Sequence, residues 1–220
     1  MTENITPSLQ SILDAKKDDF NAKAPEEIKT MYAKGLDAVE KSGVLQKAKH
    51  IGDLAPNFTL QNAMGKAVSL SDYLIKGPVV LTWYRGGWCP YCNLTLQRLQ
   101  QELSHFQAAG ANLLALTPEL PDQSLNTTEK NELKFEVLSD VGNKVGKDYG
   151  IIFKLTEDVA KRYQDSFDMH SYNGDDSDEL PLAATYVINE DGEIIYDFLD
   201  VDYRNRAEPS EIISVLKTLK

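Results

Sequence analysis

Residues 78–93 read PVVLTWYRGGWCPYCN, and this stretch decides the fold. Pro78 to Tyr84 is a continuous apolar run, the pattern of a central strand covered on both faces. Behind it, Leu96, Leu99, Leu103 and Phe106 recur at helical spacing. The helix therefore opens at the motif Trp88-Cys89-Pro90-Tyr91-Cys92, with Cys89 at the N-cap and Pro90 at the first helical position. Unpaired backbone N–H groups and the helix dipole then favour a thiolate at Cys89. Arg85 adds positive charge in the same direction. Cys92 lies about one turn further on, within reach of a mixed disulfide or sulfenic acid formed at its neighbour. Gly86 and Gly87 leave backbone open for a close-approaching partner. Trp88, next to Cys89, lines the reactive surface.

On either side the chain alternates between strands and helices. Asn57–Leu60, Val68–Leu70, Asn112–Leu116, Phe135–Leu138 and Ile151–Leu155 read as extended, and Asp122–Leu133, Val141–Tyr149 and Pro209–Leu219 as helical. Ala184–Ile188 and Glu193–Asp200 flank Asn189-Glu190-Asp191-Gly192, a hairpin signal. The expected architecture is α/β, a mixed central sheet flanked by helices. Asp165 to Glu179 (DSFDMHSYNGDDSDE) is polar and acidic and reads as a solvated loop. The first fifty residues carry two helices. Thr6-Pro7 is a start signal for one bearing Leu9, Ile12, Leu13 and Phe20. Pro25 opens another, with Ile28, Met31, Tyr32, Leu36 and Val39 on one face and Ser42-Gly43 at its end. Neither stripe can be buried within its own helix, so each packs on the main domain or on a second subunit, which makes a homodimer one of two solutions.

The chain has 220 residues, enough for a full core without disulfide staples. Its net charge of −11 argues against nucleic acid, which requires a basic footprint, and against an anionic membrane surface. No stretch reaches the roughly 18 apolar residues of a membrane-spanning helix. Met1–Gln10 has no secretory pattern. These features point to the cytoplasm, where a close pair of cysteines is catalytic or metal-binding rather than structural. Zinc is the competing use. Cys89-x2-Cys92 is followed after twelve residues by His105, but a fourth ligand should come three to five residues later, and none does. His50 and His170 form no cluster with His105. Zinc is therefore not expected.

His50 to Asn93 resembles the redoxin branch of the thioredoxin superfamily, the alkyl hydroperoxide reductase/thiol-specific antioxidant (AhpC/TSA) group. The resemblance rests on Gly52-Asp53-x-Ala55-Pro56-x-Phe58-x-Leu60, on Gly77-Pro78-Val79-Val80-Leu81, and on Tyr84-Arg85-Gly86-Gly87-Trp88-Cys89-Pro90-Tyr91-Cys92-Asn93. Ala184-Thr185-Tyr186-Val187-Ile188 with Asp191-Gly192 continues it. It implies a thioredoxin-like domain over 48–220 behind an N-terminal helical extension over 1–47. It also implies thiol-dependent reduction of a hydroperoxide with no metal or organic cofactor, with a thioredoxin- or glutathione-type reductant. The Pro-x3-Thr-x2-Cys signature of peroxiredoxins is not intact: an ungapped match puts its Pro at Arg85, its Thr at Cys89 and its cysteine at Cys92. The family's later arginine falls near Ala183, and Arg204 or Arg206 is the available substitute. Against thioredoxins the Trp-Cys-x-x-Cys is intact, but the buried acid six residues before the first cysteine falls at Trp83, and the opposing proline falls near Ala183, with Pro181 close by. Placement on the helix favours Cys89 as the attacking thiolate, whereas the ungapped match favours Cys92. Cys89 and Cys92 are the expected catalytic pair, with Arg85 and Trp88 positioning the substrate. Protein disulfide exchange is the alternative activity, and a non-catalytic binding module the third.

Overall fold

A computed structural model describes residues 7–219. In chain order the elements are α1 (Leu9–Lys23), α2 (Glu26–Lys41), α3 (Val44–Lys47), β1 (Thr59–Asn62), β2 (Ala67–Ser69), α4 (Leu70–Leu74), β3 (Val79–Trp83), α5 (Pro90–Ala108), β4 (Asn112–Thr117) and α6 (Pro121–Lys130). There follow β5 (Glu136–Ser139), α7 (Lys144–Asp148), β6 (Ile152–Lys154), α8 (Glu157–Phe167), α9 (Met169–Asn173), β7 (Glu179–Pro181), β8 (Thr185–Ile188), β9 (Ile194–Phe198) and α10 (Pro209–Lys217).

Seven strands form one mixed sheet in the order β2-β1-β5-β4-β3-β8-β9. Parallel pairing joins β3, β4 and β5, while β8 runs antiparallel to both β3 and β9. The apolar run is the central strand: all five residues of β3 are buried. Its alternation feeds two cores, because successive side chains point to opposite faces. Val79, Leu81 and Trp83 enter one layer with Tyr149, Val159, Tyr163 and Tyr186. Val80 and Tyr84 enter the other with Leu96, Leu99 and Phe106 of α5 and Ile212 and Leu216 of α10.

The N-terminal helices pack on their own chain, one in each layer. Leu9 and Leu13 of α1 are buried in the α5 layer and Val39 of α2 in the α8 layer, while Ile12, Phe20, Ile28, Met31, Tyr32 and Leu36 stay half-buried. Helix α1 starts later than its sequence implies: Ser8, not Thr6, lies at the N-cap, and its Oγ accepts the Ser11 N–H at 3.1 Å. Thr6 itself lies outside the described residues. Its neighbour Pro7 precedes the helix, and its carbonyl accepts from Arg98 at 3.1 Å.

The acidic stretch 165–179 is not a structureless loop. It finishes α8, forms α9 and leads into β7, which pairs with β6 in a small second sheet. Asp168 makes the turn between α8 and α9 with φ +54°, and His170 reaches Asp178 at 2.9 Å. Helix α8 has no counterpart in the sequence-based expectation. Its sequence still carries a start signal, Thr156 followed by Glu157 and Asp158 in the first turn, and Val159, Ala160 and Tyr163 are its buried side.

Candidate active site

Strand β3 and helix α5 meet at the turn holding Arg85 to Cys89. Cys89 is the N-cap of α5, with extended backbone (φ −87°, ψ 115°), and Pro90 is its first helical residue. The approach to the motif is fastened from both sides. Asn93 donates through Nδ2 to the carbonyls of Gly87 (2.7 Å) and Cys89 (2.9 Å), and Asn131 in turn donates to Asn93 Oδ1 at 2.9 Å. The Gly87 N–H donates to the buried Glu119 carboxylate at 2.7 Å.

The two glycines do not face an incoming partner. Gly86 is buried, and a Cβ on it, at φ +155°, would overlap the Trp88 indole. A Cβ on Gly87 would overlap Thr127. Their missing side chains let the protein's own Trp88, Thr127 and Glu119 close on the turn.

Cys89 and Cys92 are both free thiols, and both are fully buried. Each sulfur has its own guanidinium. Arg85 Nη2 lies 3.4 Å from Cys89 Sγ, and Arg206 Nη2 lies 3.5 Å from Cys92 Sγ. Burial opposes ionisation of Cys89, but a hydrogen bond from Cys92 and the charges of Arg85 and Arg206 outweigh it, holding this thiol well below the ordinary range. Burial and the adjoining Cys89 thiolate push Cys92 well above it. The surroundings therefore favour ionisation of the thiol at the helix N-terminus over that of its neighbour one turn on.

Arg85 is held by aromatic groups. Its Nη1 donates to the Tyr163 hydroxyl at 3.0 Å, and its guanidinium lies 3.5 Å from the Tyr203 ring centroid and 5.2 Å from that of Trp88. Trp88 stacks on Phe167 at 5.3 Å and leans on Tyr163 at 5.1 Å. Thus α8 braces both Arg85 and Trp88. Arg206 is fixed by donating through Nη1 to the carbonyls of Tyr203 and Asn205. Arg204 instead forms a two-point ion pair with Asp202, at 2.7 Å from both Nε and Nη2.

The model of the AhpC/TSA family matches residues 51–197. The chain belongs to the AhpC/TSA family. It is 31% identical over 170 residues to the chloroplastic peroxiredoxin Q of Oryza sativa subsp. japonica, covering 77% of this chain and 64% of that protein. The chain thus matches less than two thirds of the length of that relative. It is 25% identical over 151 residues to the thiol-disulfide oxidoreductase ResA of Bacillus thuringiensis, covering 68% of this chain and 70% of that one. Among solved structures, peroxidoxin BcpB from Mycobacterium tuberculosis superposes with a TM-score of 0.61 at 18% identity, covering 77% of this chain and 97% of that one.

In this AhpC/TSA-family chain the four residues singled out from sequence, Arg85, Trp88, Cys89 and Cys92, lie in one turn and one helix start. His105 does not join them. It sits in the last turn of α5, about 20 Å along the axis from Cys92, and faces Glu102 at 2.6 Å. His50 turns to Asp197 and to the Leu45 carbonyl. Among the described residues no three His, Cys, Asp or Glu side chains gather as metal ligands. Of the two arginines weighed for the later position, Arg206 reaches the cysteines. Tyr163, Tyr203 and Glu119 had no signal in the motif, and only the helical pattern of 156–167 would have pointed to Tyr163. Glu119 is a buried acid behind the turn, carried by the β4–α6 connection rather than by β3. Burial raises its carboxyl above the ordinary range, against hydrogen bonds that include the one from Gly87.

Proposed function

We propose that this chain is a thiol-dependent peroxidase working through a Cys89/Cys92 dithiol–disulfide cycle. The observation that carries it is the guanidinium 3.4 Å from a sulfur at a helix N-terminus. The Cys89 thiolate attacks the distal peroxide oxygen. An S–O bond forms, the O–O bond breaks, and the leaving alkoxide or hydroxide takes up a proton. Cys92 then attacks the sulfenic sulfur. An S–S bond forms, and the sulfenic oxygen leaves as water with the Cys92 proton. A thioredoxin- or glutathione-type dithiol or thiol donor reopens the disulfide. The similarity to relatives named peroxiredoxin supports this choice of substrate class.

Cysteine variants assign the roles. With hydrogen peroxide, Cys92→Ser accumulates a sulfenic acid at Cys89, detected by dimedone trapping and mass spectrometry. Cys89→Ser does not react faster than a free thiol. The opposite pattern would make Cys92 the attacking residue. A wild-type rate equal to that of a free thiol would overturn the peroxidase.

Protein disulfide exchange is the second activity, favoured by the intact Trp88-Cys89-Pro90-Tyr91-Cys92 motif and by the similarity to ResA. Rapid insulin reduction without peroxide turnover would select it. Within the same proposal, residues 48–220 form the redox domain and 1–47 an extension that braces it.

A further inference from the structure

Both arginines at the dithiol are buried, Arg85 at 3% and Arg206 at 5% exposure. Among the described residues neither guanidinium has a carboxylate within 4.0 Å, whereas Arg98 and Arg204 each do. Buried charges normally have a partner of opposite sign. The acidic groups in contact here are the Tyr163 hydroxyl and the two sulfurs, and of these the sulfurs are the ones whose charge changes in the proposed cycle. With Cys89 ionised and Cys92 neutral, one of the two positive charges is matched, the single thiolate being shared by Arg85 and Arg206. With a Cys89–Cys92 disulfide, neither is. With both sulfurs ionised, both are. The site is therefore built around a state carrying more negative charge than its resting one.

We propose that Arg206 is the catalytic residue of the resolving half-reaction, carrying the negative charge of Cys92 as this sulfur becomes a nucleophile and, later, a leaving group. With Arg85 it makes the internal disulfide an easily reduced one. The proposal rests on the dithiol cycle above. In resolution, Cys92 loses its proton, its sulfur bonds to the Cys89 sulfur, and the S–O bond breaks to release water. In reduction, a donor thiolate attacks the Cys89 sulfur, the S–S bond breaks, and the electron pair leaves on Cys92 within 3.5 Å of Arg206 Nη2. The donor's second thiol, or a second donor molecule, then displaces Cys89 as a thiol or thiolate. Both steps put charge on Cys92 in the transition state, and both meet a cation already in place.

Arg206 is placed there by the N-terminal extension. The segment between β9 and α10 that carries Tyr203 and Arg206 is tied to α1 at two points. Lys17 pairs with Asp202 at 3.6 Å, and the Leu9 and Gln10 N–H groups donate to the Glu208 carboxylate, each at 3.2 Å. Asn205 Nδ2 closes the segment on itself by donating to Asp200 at 2.8 Å.

The test is a redox titration of the full chain in glutathione buffers, comparing wild type, Arg206→Met and Arg206→Lys, with the free thiols counted by mass spectrometry. Arg206→Met shifts the equilibrium at least tenfold toward the disulfide, lowering the potential by about 30 mV or more, and Arg206→Lys recovers most of the shift. In peroxide pulses, the Cys89 sulfenic acid also persists at least tenfold longer in Arg206→Met. An unchanged potential in Arg206→Met would overturn the proposal, as would an Arg206→Lys no better than Met. Should Arg206→Met fail to fold, the decision passes to Cys89→Ser, where Arg206→Lys must leave iodoacetamide alkylation of Cys92 at neutral pH far above that of Cys89→Ser/Arg206→Gln. Equal alkylation of the two refutes the proposal. Because glutathione rather than peroxide sets the titration, a chain that ignores peroxide yet shows the shift loses the peroxidase assignment and the resolving step with it, and keeps the role of Arg206 beside the Cys92 leaving group in disulfide reduction.

Discussion

Replacing Arg85 by Met deletes the charge nearest the proposed attacking sulfur and keeps much of the side-chain volume. At the 3.4 Å separation from Cys89 Sγ, Coulomb's law with an effective dielectric near 20 gives about 5 kcal/mol of attraction lost to the thiolate. The whole amount does not appear in the rate. A less stabilised thiolate is a stronger nucleophile, and a Brønsted coefficient of about 0.4–0.5 returns nearly half of the loss. About 2.5 kcal/mol remains as an upper limit, a slowing of up to about a hundredfold at neutral pH, reduced by however far the wild-type thiol is already ionised below that pH. The sign reverses in alkali. Cys89 is held well below the ordinary thiol range in the wild type, so it is already ionised there. The variant ionises only as the pH rises, and once ionised it carries the more reactive sulfur.

The assay is quenched-flow oxidation by excess hydrogen peroxide across neutral to alkaline pH, scored by loss of thiols in the mass spectrum. Scoring mass rather than fluorescence avoids Trp88, whose ring is 5.2 Å from the Arg85 guanidinium and would report the substitution itself. The expected result is a rate relative to wild type that climbs with pH, from a deficit on the acid side to an excess in alkali, with Arg85→Lys close to wild type. A pH profile superimposable on that of wild type refutes the electrostatic role. So does a deficit that stays constant in alkali, which would mean that Arg85 shapes the turn rather than the thiolate.

Three further outcomes follow from the contacts. Tyr163→Phe strands a buried charged N–H of Arg85 and costs about 1.5–3 kcal/mol in urea unfolding, so a loss below 0.5 kcal/mol (about the noise of such comparisons) would rule out a hydrogen bond of that worth. Glu119→Gln gains stability relative to wild type as pH rises. Glu119 is raised in the folded state, so its contribution is fullest below its unfolded value, about 4.3, and is lost as pH climbs through the folded one, whereas Gln does not titrate. A stability difference flat across that window would count against a strained carboxylate. Glu208→Gln removes a charged cap from the first turn of α1, costing about 1 kcal/mol and speeding amide exchange at Leu9 to Leu13. Unchanged exchange would show that α1 is held by Leu9 and Leu13 alone.

The parts of the site legible in sequence are those fixed by local physics. An apolar run long enough for a covered strand, a cysteine before a proline, and an apolar stripe behind them require only neighbours in the chain. The site's remaining groups come from far away. Tyr163, Tyr203, Arg206 and Glu119 arrive through the β-topology, and no spacing rule ties residue 206 to residue 92. Helix α8 escaped notice because its buried side is narrow, Val159, Ala160 and Tyr163, amid Glu157, Asp158, Lys161, Arg162 and Asp165. The apolar faces of α1 and α2 were visible, but a stripe does not say what covers it. Here the two helices part, one to each side of the sheet. The Gly86-Gly87 pair shows the same limit. Its lack of side chains was plain, and the bodies that use the room, Trp88 and Thr127, are set by tertiary packing.

The departure from the peroxiredoxin signature has a physical counterpart in the structure. An ungapped match places the signature's Thr at Cys89 and its cysteine at Cys92, two positions one helical turn apart. In this chain both positions carry sulfur, and the hydrogen bond between them runs from the Cys92 thiol to the Cys89 thiolate. The position of the signature's Thr thus carries the more acidic thiol and the position of its cysteine the less acidic one, the reverse of what the match implies. Either sulfur is placed to act as donor or acceptor, so helix geometry alone no longer names the nucleophile. The surroundings do. Arg85, carried by the same turn as Cys89 and held by Tyr163 and Tyr203, is locked beside the first sulfur. Arg206, carried by a segment tied to α1, stands beside the second. In the proposed cycle the sulfur whose guanidinium already faces a thiolate reacts first. The burial of Cys92 next to an existing thiolate makes it the later of the two.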